Sequence, residues 1–311
     1  MMKDSKKAHI AVCVGTHNRP DSLTNTLQSL VRLEVPNDTD ISLIVIDNNR
    51  EATSEQVVDR YKNEFKRQFY YIHESESGIV HMRNCAMKEA SSLGASHLAF
   101  IDDDEIASSN WITTLYEALV RFEAQVVQGT TQRILPDDTP NWLTKYNLLQ
   151  LKSHATGQVR SSAGTRNVLF DLHYMNQHAL KFNAVFNFMG SSDTFFFHQA
   201  YLKGAKIVWV DEARVEEKVP KNRLTAKWII QRAFRMGVTD FEMNKQLGAY
   251  FSIVTSLFRH IMYLLLFSLL SILSLPFDRS ASLKLSLQVV KAAGFIYKMA
   301  GFTYLEYKNY S

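Results

Sequence analysis

Three consecutive carboxylates, Asp102, Asp103 and Asp104, close the apolar run His97 to Ile101 and are followed by Glu105. Carboxylate oxygens are hard ligands that suit Mg2+ or Mn2+. Side chains alternate in an extended segment, so Asp102 and Asp104 are expected to reach one ligand from the same side. One of the pair can then hold a ribose, while the other holds a cation that stabilises the charge growing on a departing diphosphate. An acidic turn ahead of a helix is the competing reading, because the helix N-terminus favours carboxylates. Two more polar clusters, Thr16-His17-Asn18-Arg19 and Asp47-Asn48-Asn49, also close apolar runs, and that shared placement favours a ligand site.

The elements that would carry these clusters follow an alternating pattern. Apolar runs at His9 to Val14, Ile41 to Ile46, Phe69 to Ile72 and His97 to Ile101 read as strands. Helical segments fall at Asp21 to Leu30, capped by Asp21-Ser22, then at Ser54 to Phe65 and Val80 to Ser92. Such alternation predicts an α/β domain with a mainly parallel central sheet flanked by helices, whose ligands lie at the carboxyl ends of the strands. A helix from about Asn110 to Phe122 and a strand from Ala124 to Gly129 come next. From there to Arg166 the chain reads as irregular loops shaping a cleft, before a helix at Asp193 to Lys203, a strand at Lys206 to Val210 and a helix at about Thr225 to Arg235.

A chain of 311 residues, 46% of them hydrophobic, can bury one such domain plus an appendage. The formal charge is +4, with acidic and basic residues interspersed, so no basic stripe marks a nucleic-acid binder. Cys13 and Cys85, the two cysteines, form neither a disulfide framework nor a zinc site, which favours a reducing compartment. The start, Met-Met-Lys-Asp-Ser-Lys-Lys, lacks the apolar stretch of a secretory signal, placing the catalytic part in the cytosol. The ten histidines show no His-x-x-x-His spacing of a metal helix.

Four segments in order at strand ends resemble the family-2 inverting glycosyltransferases, which have the GT-A fold. They are Thr16 to Pro20, Val45 to Asn49, Gly78 to Asn84, and Phe100 to Asp104, the last resembling the family's Asp-x-Asp motif. The resemblance covers about Ile10 to Gly237. It implies transfer of a sugar from a nucleoside-diphosphate sugar, with Thr16, His17, Asn18, Arg19, Asp47 and Asn48 around the base and ribose and Arg83 near the base or diphosphate. Asp102 would meet the ribose with Asp103 beside it, and Asp104 would hold Mg2+ or Mn2+. Inversion needs a base for the acceptor hydroxyl, and the resemblance assigns it to Asp193 in Gly190-Ser191-Ser192-Asp193, where Ser192 replaces the family's usual Glu; simple capping of a helix is the other reading. Val215 to Arg223, followed by Trp228, Arg232 and Arg235, resembles the subset that builds bacterial surface polysaccharides. There Glu217 would ligate the metal or orient a diphosphate, and Arg223, Trp228, Arg232 and Arg235 would meet the diphosphate or a lipid-linked acceptor, unless they form a solvated basic face.

Ile261 to Phe277 contains 17 residues without a charge. At that length a transmembrane helix, a re-entrant segment and a buried core helix are all open. Lys284, Lys291 and Lys298 recur every seven residues, as on an interfacial helix with lysines toward anionic headgroups or an amphipathic helix packed on the domain. The expected organisation is a catalytic domain at 1–248, with donor half 9–129 and acceptor half 130–248, and a membrane-associated helical segment at 249–311. The expected location is the cytoplasmic face of the bacterial inner membrane. Two other functions fit an alternating sheet. A dinucleotide-binding oxidoreductase needs a Gly-x-Gly-x-x-Gly turn that Gly15 to Pro20 lacks, and a non-catalytic nucleotide-sugar sensor has no need of Asp193.

Overall fold

A computed structural model describes residues 7–305; the opening segment read for a signal lies mostly outside them. The first half runs β1 (Ala8–Thr16), α1 (Pro20–Leu30), β2 (Thr39–Asp47), α2 (Glu55–Lys62), β3 (Gln68–His73), α3 (Ile79–Ser92) and β4 (His97–Asp102). A short β5 (Glu105–Ala107), α4 (Trp111–Arg121) and β6 (Val126–Ile134) follow. The expected strands and helices are all present. Pro20, with its pre-set φ, opens α1 and puts Asp21 and Ser22 inside the first turn, so they do not cap it.

The second half runs α5 (Asn141–Thr144), β7 (Val159–Arg160), β8 (Val168–Asp171), α6 (Leu172–Gln177), α7 (Ser192–Leu202) and β9 (Ile207–Lys218). Three helices complete it: α8 (Ala226–Gln246), α9 (Tyr250–Ser274) and α10 (Arg279–Met299). The sheet order is β3-β2-β1-β4-β8-β6-β9-β5. Strands β1 to β4 pair in parallel as expected, but the four-residue β8 inserts antiparallel to both β4 and β6, and β5 runs antiparallel to β9. The sheet is therefore mixed beyond its first four strands.

Alternation along β1 sends Ile10, Val12 and Val14 into one core with Leu23, Leu27 and Trp111, and Ala11 and Cys13 into the opposite core with Ala86, Phe196 and Phe197. Each fully buried aliphatic or aromatic side chain contributes about 1.5–3 kcal/mol. Helices cover both faces, which leaves the strand ends for a ligand. The chain reverses direction across the sheet between β1 and β4, and the crevice at such a switch point is where open α/β sheets bind ligands.

The C-terminal helices do not form a separate body. Helix α10 lies along α8 so closely that a Cβ on Gly237 would stand 1.8 Å from the Lys291 carbonyl, and one on Gly294 2.1 Å from that of Phe234. Lys291 pairs with Asp240 at 2.7 Å and Lys298 with Glu242 at 3.2 Å, while the Lys284 ammonium lies 5.0 Å from the Tyr146 ring centroid. Lys291 and Lys298 thus face the protein, while Lys284 stays exposed beside the Tyr146 ring. Helix α9 rests on α10 near its middle and near its C-terminal end, through stacked His260 and Phe295 rings and through Ser271 Oγ, which donates to the Ser282 carbonyl. Its other face is bare: Phe251, Phe258 and Leu265 are between 69% and 83% exposed.

Candidate active site

Parallel register places the three polar clusters side by side, with Thr16 opposite Asp47 and Gly15 opposite Asp102. Asp102 ends β4, and Asp103 and Asp104 form the tight turn into β5. The placement of Asp104 relative to Asp102 is set by this turn and not by strand alternation. Asp102 reaches solvent at the cleft floor; desolvation there and the Asp104 charge push its pKa up to about 6. Asp103 turns away. Its Oδ2 accepts from Thr16 Oγ1 at 2.8 Å and its Oδ1 from Arg19 Nη1 at 3.2 Å, which ties the β1 loop to the end of β4.

Asp47 and Asn48 are likewise committed to the protein. Fully buried Asp47 accepts from the Asn49 and Ser54 backbone N–H groups and from the Tyr71 hydroxyl. Asn48 donates to the Glu74 and Glu76 carbonyls and accepts from Gly78 N. The oxygens and amide expected to meet a base are thus engaged with the protein and shape the loop after β2. His17 remains at the cleft, its Nδ1 2.7 Å from the Asn48 carbonyl, and Asn18 is exposed with φ 53°.

Asp193 sits half-buried in the first turn of α7, after a left-handed pair, Gly190 and Ser191. A side chain at Gly190 would strike Arg235, whose guanidinium packs against this turn. Neither Ser192 nor Asp193 caps α7, because Ser191 holds the cap position and makes no side-chain bond there. Asp193 Oδ1 accepts from Thr194 N at 2.7 Å and Oδ2 from Thr165 N at 3.3 Å. Desolvation raises its pKa, but Arg83, the Thr194 N–H, Arg166 and the Thr165 N–H outweigh it and hold the carboxyl below its usual range. Arg83, 6% exposed, donates to Ser192 and Thr165 and lies over the Phe182 ring, so it braces the Asp193 turn from behind and does not reach for the donor. Asn84 clamps Phe182 through both backbone groups.

Glu217 does not fit a metal. Its Oε2 is 2.9 Å from Arg133 Nε and its Oε1 2.6 Å from Arg223 Nη1, and the side chain is 6% exposed. Desolvation raises its pKa, but Arg133 and Arg223 bring it below the usual value. Arg223 reaches on to Asp104 at 3.8 Å, and Arg19 meets the same Asp104 oxygen at 3.1 Å. Asp104 keeps its place at the cleft, and a Mg2+ or Mn2+ held by one or two carboxylates plus substrate phosphates fits Asp104 with Asp102. A closed protein cage does not, for no three His, Cys, Asp or Glu side chains converge among the described residues. Trp228 and Arg232 pair with each other, guanidinium 5.1 Å from the ring centroid, beside Arg223.

Two functional positions were not legible beforehand. Buried Glu105 accepts from Thr131 Oγ1 and from Asp102 N; burial first, then the Asp102 charge, raise its pKa well above the carboxylate range. Burial disfavours the charge on Arg166, but Asp102, Glu105, Asp193 and Glu217 surround it and more than restore it. Arg166 is thus the cation between the acidic strand end and Asp193. It precedes β8, which carries no periodic signal, and its only mark in the sequence is a charge beside an apolar run.

A mixed sheet of this order, with an acidic strand end at its switch point, is a GT-A-like fold. The chain belongs to glycosyl transferase family 2, whose description matches residues 11–186. It is 32% identical over 232 residues to the succinoglycan biosynthesis protein ExoM of Rhizobium meliloti (strain 1021), covering 74% of each chain. The fold is shared with S. aureus TarS 1-349 in complex with UDP-GlcNAc, at TM-score 0.55 and 13% identity over 95% of this chain and 93% of that one. It is shared too with the mannosyltransferase PcManGT from Pyrobaculum calidifontis in complex with GDP-Man and Mn2+, at TM-score 0.57 and 14% identity over 95% and 76%.

Proposed function

We propose that this glycosyltransferase moves a sugar, with inversion, from a nucleoside-diphosphate sugar to a lipid-linked glycan in bacterial surface polysaccharide synthesis. The observation that carries the reading is Asp193: a carboxylate held by two backbone N–H groups at a left-handed turn and kept below its usual pKa by Arg83 and Arg166, the latter also surrounded by Asp102 and Glu105. The likeness to ExoM supports the polysaccharide setting, and the nucleotide sugars bound to TarS and PcManGT support the donor class.

In this reading the donor lies over the ends of β1 and β4, with its ribose toward Asp102. Asp104 would hold Mg2+ or Mn2+, which would supply positive charge to the leaving group. The acceptor oxygen attacks the anomeric carbon, the bond from that carbon to the diphosphate oxygen breaks with its electron pair on the diphosphate, and the hydroxyl proton passes to Asp193. A formally depressed pKa makes Asp193 a weak base in the empty site. Arrival of the diphosphate draws the field of Arg166 toward itself and strengthens that base. The bare face of α9 sets the enzyme against the inner leaflet, where such an acceptor is held.

Replacement Asp193→Asn tests this directly. Nucleotide-sugar binding should persist, while transfer falls by about 10^2 to 10^4-fold. Near-normal turnover would remove Asp193 from the role.

A further inference from the structure

A cavity of about 250 Å3 opens beside β9, with both Asp193 and Arg166 in its wall. It is smaller than the roughly 300–1,000 Å3 of drug-sized ligand sites, so it suits one residue of a glycan or a single headgroup. Asp193, Arg166, Arg160, Lys152 and Trp209 are among its walls. A larger hollow of about 680 Å3 lies at the opposite ends of the strands, by His9, Thr39 and Arg67, and holds none of the site carboxylates.

The charge of this cavity is unbalanced. Three cations, Lys152, Arg160 and Arg166, face one carboxylate, Asp193. Among the described residues neither Lys152 nor Arg160 has an ion-pair partner. The nearest other acids are engaged: Asp211 accepts from Thr130 Oγ1 and Ser153 Oγ and pairs with Arg214, and Glu212 accepts from Thr156. His154, packed edge-on to Trp209 at 5.0 Å, has its pKa lowered by burial and then by the charges of Arg160 and Lys152. Trp209 is 7% exposed, and its Nε1 has no hydrogen-bond partner. A hollow lined by one sign of charge concentrates the opposite sign, and a guanidinium fork matches carboxylate or phosphate oxygens in pairs.

We infer that this cavity is an acceptor subsite for an oxyanion, in which Arg160 and Lys152 hold a carboxylate or phosphate on the acceptor while its hydroxyl meets Asp193. The inference rests on Asp193 being the base of the transfer reaction. The oxyanion can belong to an acidic sugar residue or to a phosphate group of a lipid-linked glycan; the cavity recognises what they share.

Saturation-transfer NMR on the full chain in detergent distinguishes these sources, with UDP and GDP present in excess to fill the donor cradle. The probes are cellobiose, its uronic-acid counterpart and glucose 1-phosphate. At least one anionic probe should bind about tenfold better than cellobiose, the carboxylate arm pointing to an acidic sugar and the phosphate arm to a phosphate group. The double variant Lys152→Gln, Arg160→Gln should abolish that preference while nucleotide binding, measured by calorimetry, stays intact and reports a folded domain. Equal binding of neutral and anionic probes, or an unchanged preference in the variant, would overturn the subsite. Loss of nucleotide binding by the unmodified protein would instead sink the transferase reading, so the two failures are separable.

Discussion

Asp193 shows how one residue's chemistry is set by what stands behind it. Its folded pKa is depressed, so the stability it contributes is present above the unfolded carboxylate value of about 3.9 and is lost as pH falls through the lower folded value. Between pH 5 and 8 it stays ionised in the empty enzyme. Arg83 is the first of the groups that keep it so. In Arg83→Gln the acid limb of the kcat/KM profile should therefore move to higher pH, while Arg83→Lys, which keeps the charge, should leave the limb in place. Arg83→Gln should also cost about 2–3 kcal/mol, since Ser192 and Thr165 lose a charged donor. Superimposable pH profiles for all three proteins would show that Arg83 serves packing alone. Residue types at this site were readable in advance, because Asp193 and the Asp102 to Asp104 run sit where strand ends and a helix start put them. The use of each oxygen was not. Asp47, Asn48, Asp103 and Glu217 look like ligands until their partners at Ser54, Gly78, Thr16 and Arg133 are seen, and those partners lie up to 87 residues away in sequence.

Elements were legible where periodicity is long. The strands from β1 to β4 follow from alternating apolar runs, and their parallel pairing follows from the helices between them. β8 escaped because four residues carry too little pattern, and with it went the antiparallel insertion that brings Arg166 to the cleft. The fit of α10 on α8 was also hidden, since it depends on Gly237 and Gly294 meeting across the crossing. Helix α8 in turn backs the Asp193 turn through Arg235 at Gly190 and through Thr239, which accepts from Ser191 Oγ at 3.1 Å. Gly294→Ala should push α10 off α8 and cost about 1–3 kcal/mol, a drop of several degrees in thermal midpoint. Because α8 holds the turn, kcat should fall while the KM for the donor changes little. An unaltered melt together with an unaltered kcat would mean that the crossing yields without strain.

At the scale of the whole molecule, the lysine spacing and the apolar run were visible, but a period cannot say which face meets protein and which meets lipid. Lys291 and Lys298 are spent on Asp240 and Glu242, which leaves the apolar α9 as the candidate surface for a membrane. Its 25 residues span about 37 Å at 1.5 Å each, enough to cross a bilayer. Yet α9 is fastened to α10 near its middle and its C-terminal end, and α10 carries charges that bind α8, so a crossing would drag those pairs into hydrocarbon. An orientation in the plane of the interface avoids that cost and buries the bare row of Phe251, Phe258 and Leu265 in the acyl boundary. Removing everything after Gly248 would strip α10 from α8 and confuse anchoring with folding, so point changes are the sharper probe. In flotation with phosphatidylglycerol-containing vesicles, Phe258→Glu with Leu265→Glu should lower bound protein at least about tenfold, given about 1.5–3 kcal/mol for each buried side chain. Lys284→Gln should float like the parent, and alkaline carbonate should release the parent from native membranes. Full flotation of the glutamate pair would take the membrane off α9 altogether, and resistance to carbonate would favour a crossing helix, with α8 and α10 rearranged to allow it.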